Sequence, residues 1–172
     1  MSCCTTYAGT LPQPLRMILL GSGGVSPACS PDTFEEAMVA YLLGNPGLAC
    51  TIDDRLYPHQ VSRANKTWPA ITYYVEDAEH EIDLQGHGGF AWTTISFDCW
   101  SSKYLEAVRA AKALRQALQG FIGQWGNFAI GAVIPDGGDE DDVQEPADGS
   151  GVCWYSRSLG FRVLHGESAP QF

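Results

Sequence analysis

Four histidines, His59, His80, His87 and His165, are the side chains best suited to acid–base work near neutral pH. A hydrolytic site would set one of them beside a nucleophile, yet no G-x-S-x-G or comparable motif accompanies any of the four. The densest cluster is His80 and His87 with Glu79, Glu81 and Asp83, a set of imidazole and carboxylate donors of the kind metals accept. Its spacing matches neither a helical pair nor H-E-x-x-H, so no metal is expected there. The six cysteines, Cys3, Cys4, Cys29, Cys50, Cys99 and Cys153, contain no C-x-x-C, and none stands at zinc-finger spacing from a histidine. Free thiols are expected, with Cys99 and Cys153 acting as small apolar residues within strands.

Two further segments invite a chemical reading. Gly21-Ser22-Gly23-Gly24 has the glycines of a phosphate loop but lacks the following Lys-Ser/Thr, which leaves a linker. Asp136 to Gly149 holds seven acids, Asp136, Asp139, Glu140, Asp141, Asp142, Glu145 and Asp148, and no cation. A calcium loop counted from Asp136 would need glycine at its sixth position and glutamate at its twelfth, where Asp141 and Ala147 stand. The expectation is therefore an extended, hydrated acidic loop over 136–149. Trp68, Trp92, Trp100, Trp125 and Trp154 are expected in the core or an interface. No cofactor and no catalysis follow from any of these residues.

The elements that must position them are those of one domain of 172 residues, 45% hydrophobic and 17% charged. A formal charge of -10 opposes the phosphate neutralisation that a nucleic-acid binder requires. The early apolar run, Met17 to Leu20, is far shorter than the roughly 20 residues of a membrane span, and prolines break any export signal; a soluble, unexported protein is expected. Residues 1–31, rich in Pro and Gly and carrying one charge, read as an N-terminal arm that packs on a neighbour.

From there, Asp32 or Thr33 caps a helix over 34–43, stopped by Gly44-Asn45-Pro46-Gly47. Residues 52–57 read as a short strand or turn, and 68–75 as a strand with Ile71, Tyr73 and Val75 on one face. Residues 90–100 alternate most clearly, with Ala91, Thr93, Ile95, Phe97 and Cys99 on one side and Thr94, Ser96 and Asp98 on the other. Between the last two strands, 76–89 reads as a long mobile connection. Ser101 or Ser102 then caps a long helix to Gln119, with Tyr104, Val108, Ala111, Leu114 and Leu118 inward. Its other face, with Lys103, Glu106, Arg109, Lys112, Arg115 and Gln116, lies in solvent or against an acidic partner surface, and solvent is the expectation because exposed helix faces are usually charged. Strands over 128–134 and 152–164 follow, the first with Phe128, Ile130, Ala132 and Ile134 on one face, the second kinked at Gly160. This order predicts an α+β domain over 32–166: a largely antiparallel β-sheet packed with one long and one shorter α-helix, then a C-terminal tail over 167–172.

The ordered segments DDRLYPHQ, WPAITYYVED, TTISFDCWSSKYLEAVRAAKALRQALQG and SRSLGFRVLH together resemble the tail-completion (tail-terminator) family of long-tailed bacteriophages, over about residues 34–166. The strand ending at Trp100 and passing into a helix with Glu106 is the most specific part; Arg55-Leu56-Tyr57-Pro58 and Phe161-Arg162-Val163 add to it. The arm of about 30 residues and the long acidic segment depart from the pattern. The resemblance implies a tail-terminator-like fold and a structural, non-enzymatic virion protein. It implies a ring of six copies seated on the tail tube protein and meeting a head-closure or stopper connector protein. Genomic DNA would pass through its lumen unbound, and copies would occupy the host cytoplasm before joining the virion.

Residues expected at such contacts are Met17, Ile18, Leu19 and Leu20 in the arm, Glu79, His80, Glu81 and His87 in the 76–89 connection, and Asp139 and Asp142 in the acidic segment. The rival readings are a small cytosolic α+β ligand-binding protein or enzyme, and an acidic mimic of DNA. The second would spread its acids over helices, whereas here they concentrate in one segment.

Overall fold

The computed structural model describes residues 33–61, 67–83, 86–144 and 153–167, and the backbone alone for 81–83 and 86–87. The arm 1–31 with Met17, Ile18, Leu19 and Leu20, the acidic residues Glu145 and Asp148, and residues 168–172 of the tail lie outside the described residues.

Thr33 opens α1 (Phe34–Gly44) with a capping box: its hydroxyl accepts from Glu36 N–H and its own N–H donates to the Glu36 carboxylate, both at 3.2 Å. Asn45 ends this helix and starts another. Its side chain accepts from Gly47 N–H at 3.0 Å and Leu48 N–H at 3.3 Å, and Pro46 occupies the first helical position of α2 (Pro46–Ile52). The expected stop after Gly44 is thus also a start, and Ile52 belongs to a helix rather than a strand. The strand that follows is β1 (Leu56–Pro58), parallel to β2 (Ala70–Asp83) and tied to it by Arg55, whose carbonyl accepts from Ile71 N–H and whose Nε donates to the Pro69 carbonyl.

β2 turns into β3 (Gly86–Ser101), so the 76–89 connection is itself paired strand, with bulges between Val75 and Asp77 and between His80 and Ile82. Polar residues at alternate positions satisfy the ladder as well as apolar ones do, which a composition-based reading of a loop overlooks. α3 (Tyr104–Leu118) begins later than expected because β3 runs through Ser101; Lys103 is its N-cap, without a side-chain cap bond. Ser101 instead ties the elbow together, accepting from Lys103 N–H and donating to Glu106. The buried face of α3 is Ala107, Ala110, Ala111, Leu114, Ala117 and Leu118, while Tyr104 is exposed and Val108 only half-buried. The small alanines let the helix lie close against the sheet.

β4 (Gly123–Trp125) and β5 (Phe128–Gln144) form a tight hairpin through Gly126-Asn127, and β6 (Trp154–Gly166) closes the sheet. The order is β1-β2-β3-β6-β5-β4, with β1–β2 parallel and the remaining pairs antiparallel, so the sheet is mixed. Among the described residues three helices, not two, cover it. Two expectations for β5 fail for local reasons. Gly131 has no partner on β6, and this bulge shifts the alternation so that Ile130 and Val133 are buried while Ile134 is exposed. The acids 136–142 are not a hydrated loop: Asp136 pairs with Gly160, and Glu140, Asp141 and Asp142 pair with Ser158, Arg157 and Ser156.

The core lies between the helices and one sheet face, where Met38, Leu42, Leu48, Ile52, Ile71, Ile95, Phe97, Cys99, Leu114 and Phe161 are fully or almost fully buried. Tyr41 stacks on Trp125 and Phe34 meets the same ring at a tilt, and the Tyr41 hydroxyl donates to the Ala117 carbonyl at 2.8 Å, locking α1 to α3. Cys99 is a buried free thiol whose pKa burial pushes up, with Asp98 adding in the same direction, so it serves as packing.

Candidate interaction surface

The helices cover one face of the sheet, and the strands' period of two sends every second side chain to the other face. On β3 these are Trp92, Thr94, Ser96, Asp98 and Trp100, all half-buried. Cross-strand bonds hold them. Trp100 Nε1 donates to Thr72 Oγ1 at 3.0 Å, Ser158 Oγ donates to Asp98, and Ser96 Oγ donates to Glu76. Arg162 donates to Glu79 Oε2 at 3.0 Å while its guanidinium lies 5.1 Å from the Trp92 ring centre, a cation–π contact.

Across the middle of this face runs an open groove of about 340 Å³, lined by Tyr74, Thr94, Ser96 and Ser158 and by the carboxylates Glu76, Asp136 and Glu140. No cation lines it. The groove exists because β5 passes three residues, Gly137 to Asp139, opposite the single Leu159 of β6. Gly160 permits this: a Cβ there would lie 2.4 Å from the Asp136 carbonyl oxygen, closer than atoms can approach.

The same excursion divides the acids. Asp139 turns toward the helix side, where Arg115 and Arg157 both grip its carboxylate, the latter at 3.2 Å, and its side chain is 23% exposed. Asp141 accepts from the Tyr104 hydroxyl at 3.1 Å and pairs with Arg157 at 3.5 Å. Asp142 is exposed and bonds its neighbour Val143 N–H. Of the other expected contact residues, Glu79 is exposed beside Arg162, and His80 meets Glu167 at 2.8 Å. The side chains of Glu81 and His87 lie outside the described residues. The pairing registers send the β2–β3 and β5–β6 hairpins off opposite ends of the sheet, because Phe90 at the start of β3 pairs with Gly166 and Ser101 at its end pairs with Tyr155.

His59 is exposed and its backbone N–H donates to the Tyr73 carbonyl at 2.8 Å, whereas His165 is set in the core. It is almost fully buried, stacked on Phe34 at 4.1 Å between ring centres and bonded through Nε2 to Thr93 Oγ1 at 2.9 Å. Burial holds its pKa below the usual imidazole value. Among the described residues no group of three or more His, Cys, Asp or Glu is placed to hold a metal ion, and no helix is long and apolar enough to cross a membrane.

A family model described as tail completion protein gp17 matches residues 36–124, just over half of the chain. The chain belongs to that family. The match runs from the first turn of α1 to β4, and so takes in the strand-to-helix elbow at Trp100 and Ser101 that carried the resemblance. The β5–β6 hairpin with its acids falls beyond it. No curated protein matches the chain. Among solved structures, a chain of the virion of a native gene transfer agent particle shares the fold at a TM-score of 0.60 and 15% identity, covering 81% of this chain and 98% of that one. Membership makes this a structural protein of the phage tail and a component of the virion.

The signals missed in the sequence are specific. Asn45-Pro46 is a helix start in its own right, and Gly126-Asn127 between apolar residues is a two-residue hairpin turn. The groove had no local signal, since Glu76, Asp136 and Glu140 come from strands far apart in the chain.

Proposed function

We propose that this protein is the tail terminator: a ring, six-membered as in the resemblance above, that caps the tail tube and joins it to the head-closure or stopper protein of the head–tail connector. The observation that carries the reading is the family match over 36–124. The architecture supports it in two ways. A ring needs two different, complementary surfaces on each copy, and this domain has a helix-covered side and an open polar side. Its two hairpins leave opposite ends of the sheet, which suits a part with one neighbour above and another below.

The arm 1–31 packs on an adjacent copy and the 76–89 hairpin reaches the tube. Six copies carry a formal charge of about -60, which disfavours adhesion to DNA, so the genome slides through the lumen unbound. The copies fold in the host cytoplasm and end in the virion at the head–tail interface.

Reconstruction of the neck of the intact particle, with light scattering on the purified protein, tests this. Six copies between tube and connector are expected. A stable monomer holding a bound metabolite, or absence of the chain from finished particles, overturns the reading.

A further inference from the structure

We infer that in the proposed ring, on which this inference rests, the outer stripe of α3 from one copy seats on the open sheet face of the next, with Arg109 and Lys112 entering the groove of Glu76, Asp136 and Glu140. The partner is a second copy of this chain, and three observations select it.

The first is a charge inventory. Arg55, Lys103, Arg115, Arg157 and Arg162 are each bonded to groups of their own chain. Arg109 and Lys112 are exposed and make no ion pair with any described residue. The groove is the mirror case, three carboxylates with no cation among its described lining residues.

The second is spacing. Leu105, Arg109, Lys112 and Gln116 follow one another at helical intervals along a single solvent-facing stripe, and Leu105 is 63% exposed. The stripe therefore offers an apolar end and a cationic middle. The open face offers the exposed Ile134 and half-buried Tyr74 beside its acids.

The third is topology. α3 packs on β3 and β6 through its alanine side, so its outer stripe and the open sheet face point in opposite directions and cannot meet within one molecule. A twofold dimer through either surface would oppose cations to cations or acids to acids. Only a head-to-tail contact matches the charges, and repetition of such a contact through a closing rotation makes a ring.

Zero-length carbodiimide coupling of the wild-type protein, as rings in solution or in purified virions, is read by peptide mass spectrometry. Links from Lys112 to Glu76, Asp136 or Glu140 are expected, and by the topology they join different copies. Rings that give no such link overturn the inference while leaving the ring intact. Light scattering supplies the second arm. Arg109→Glu with Lys112→Glu is expected to raise at least ten-fold the concentration needed for the ring, as is Glu76→Lys with Asp136→Lys and Glu140→Lys. All five changes together are expected to recover it. Circular dichroism checks each fold, and Arg109→Ala with Lys112→Ala replaces any reversal that does not fold. Either set of reversals assembling like the wild type sinks the proposal; a wild type that forms no ring in solution or on tails removes the ring reading, and this one with it.

Discussion

On β3, Ile95, Phe97 and Cys99 are fully buried beneath the helices, whereas Thr94, Ser96 and Asp98, each one residue away, belong to a face that no described element covers. The two faces share a backbone and differ in how they are held. The covered face is fixed by apolar contact, which sets the fold but fills itself completely. The open face is fixed by hydroxyl–carboxylate and indole–hydroxyl bonds between strands, which orient side chains while leaving them available to a partner. Order on an exposed polar surface reduces the rotamer freedom that binding would otherwise have to remove.

The contrast can be broken or sharpened by substitution. The largest effect belongs to the covered face: Phe97→Ala is expected to remove about 4 kcal/mol of stability, read from urea unfolding, because its ring packs against Tyr73 and Phe161. Gly160→Val breaks the simple contrast, since it sits on the open face yet should cost about 3 kcal/mol by driving β5 off β6 at Asp136.

His165 gives a third, pH-dependent difference. Burial favours its neutral form, opposed by the Gly166 carbonyl and Glu167 and aided by His80, and the net pKa is lowered. The unfolded chain takes up a proton near pH 6.5 that the folded chain refuses until lower pH. Stability should therefore fall as pH drops below that point, by at most about 1.4 kcal/mol per unit, and level off below the folded pKa. Melting temperatures of the wild type and of His165→Gln from pH 7.5 to 5 check this; the variant should show a flatter profile. The smallest effect is Thr94→Ala on the open face, expected within about 0.5 kcal/mol by the same urea method.

How much of this could be read from the chain depends on whether the deciding contact is local. The alternation Ala91 to Cys99 already assigns Thr94, Ser96 and Asp98 to the opposite face, because a strand's period needs no partner to be seen. The Phe34 helix and its Thr33 cap were equally legible. Ile134 was not: one unpaired residue at Gly131 inverts every later assignment on β5. Over Asp136 to Asp142 the sequence suggests a loop where the structure has a paired, exposed strand, since the repulsion among the acids is visible in sequence and their neutralisation is not. Arg115 and Arg157, which hold Asp139 and Asp141, arrive from α3 and β6. Likewise, Trp92 and Arg162 meet only through the β3–β6 register.

The departure of the β2–β3 and β5–β6 hairpins from opposite ends gives the subunit a polarity that survives assembly. In the ring proposed above, built from one repeated head-to-tail contact, all copies point the same way, so the two kinds of hairpin stay segregated around it. As proposed, such a collar would distinguish a neighbour on one side from a neighbour on the other, and mutations that retune one hairpin would leave the chemistry of the other untouched.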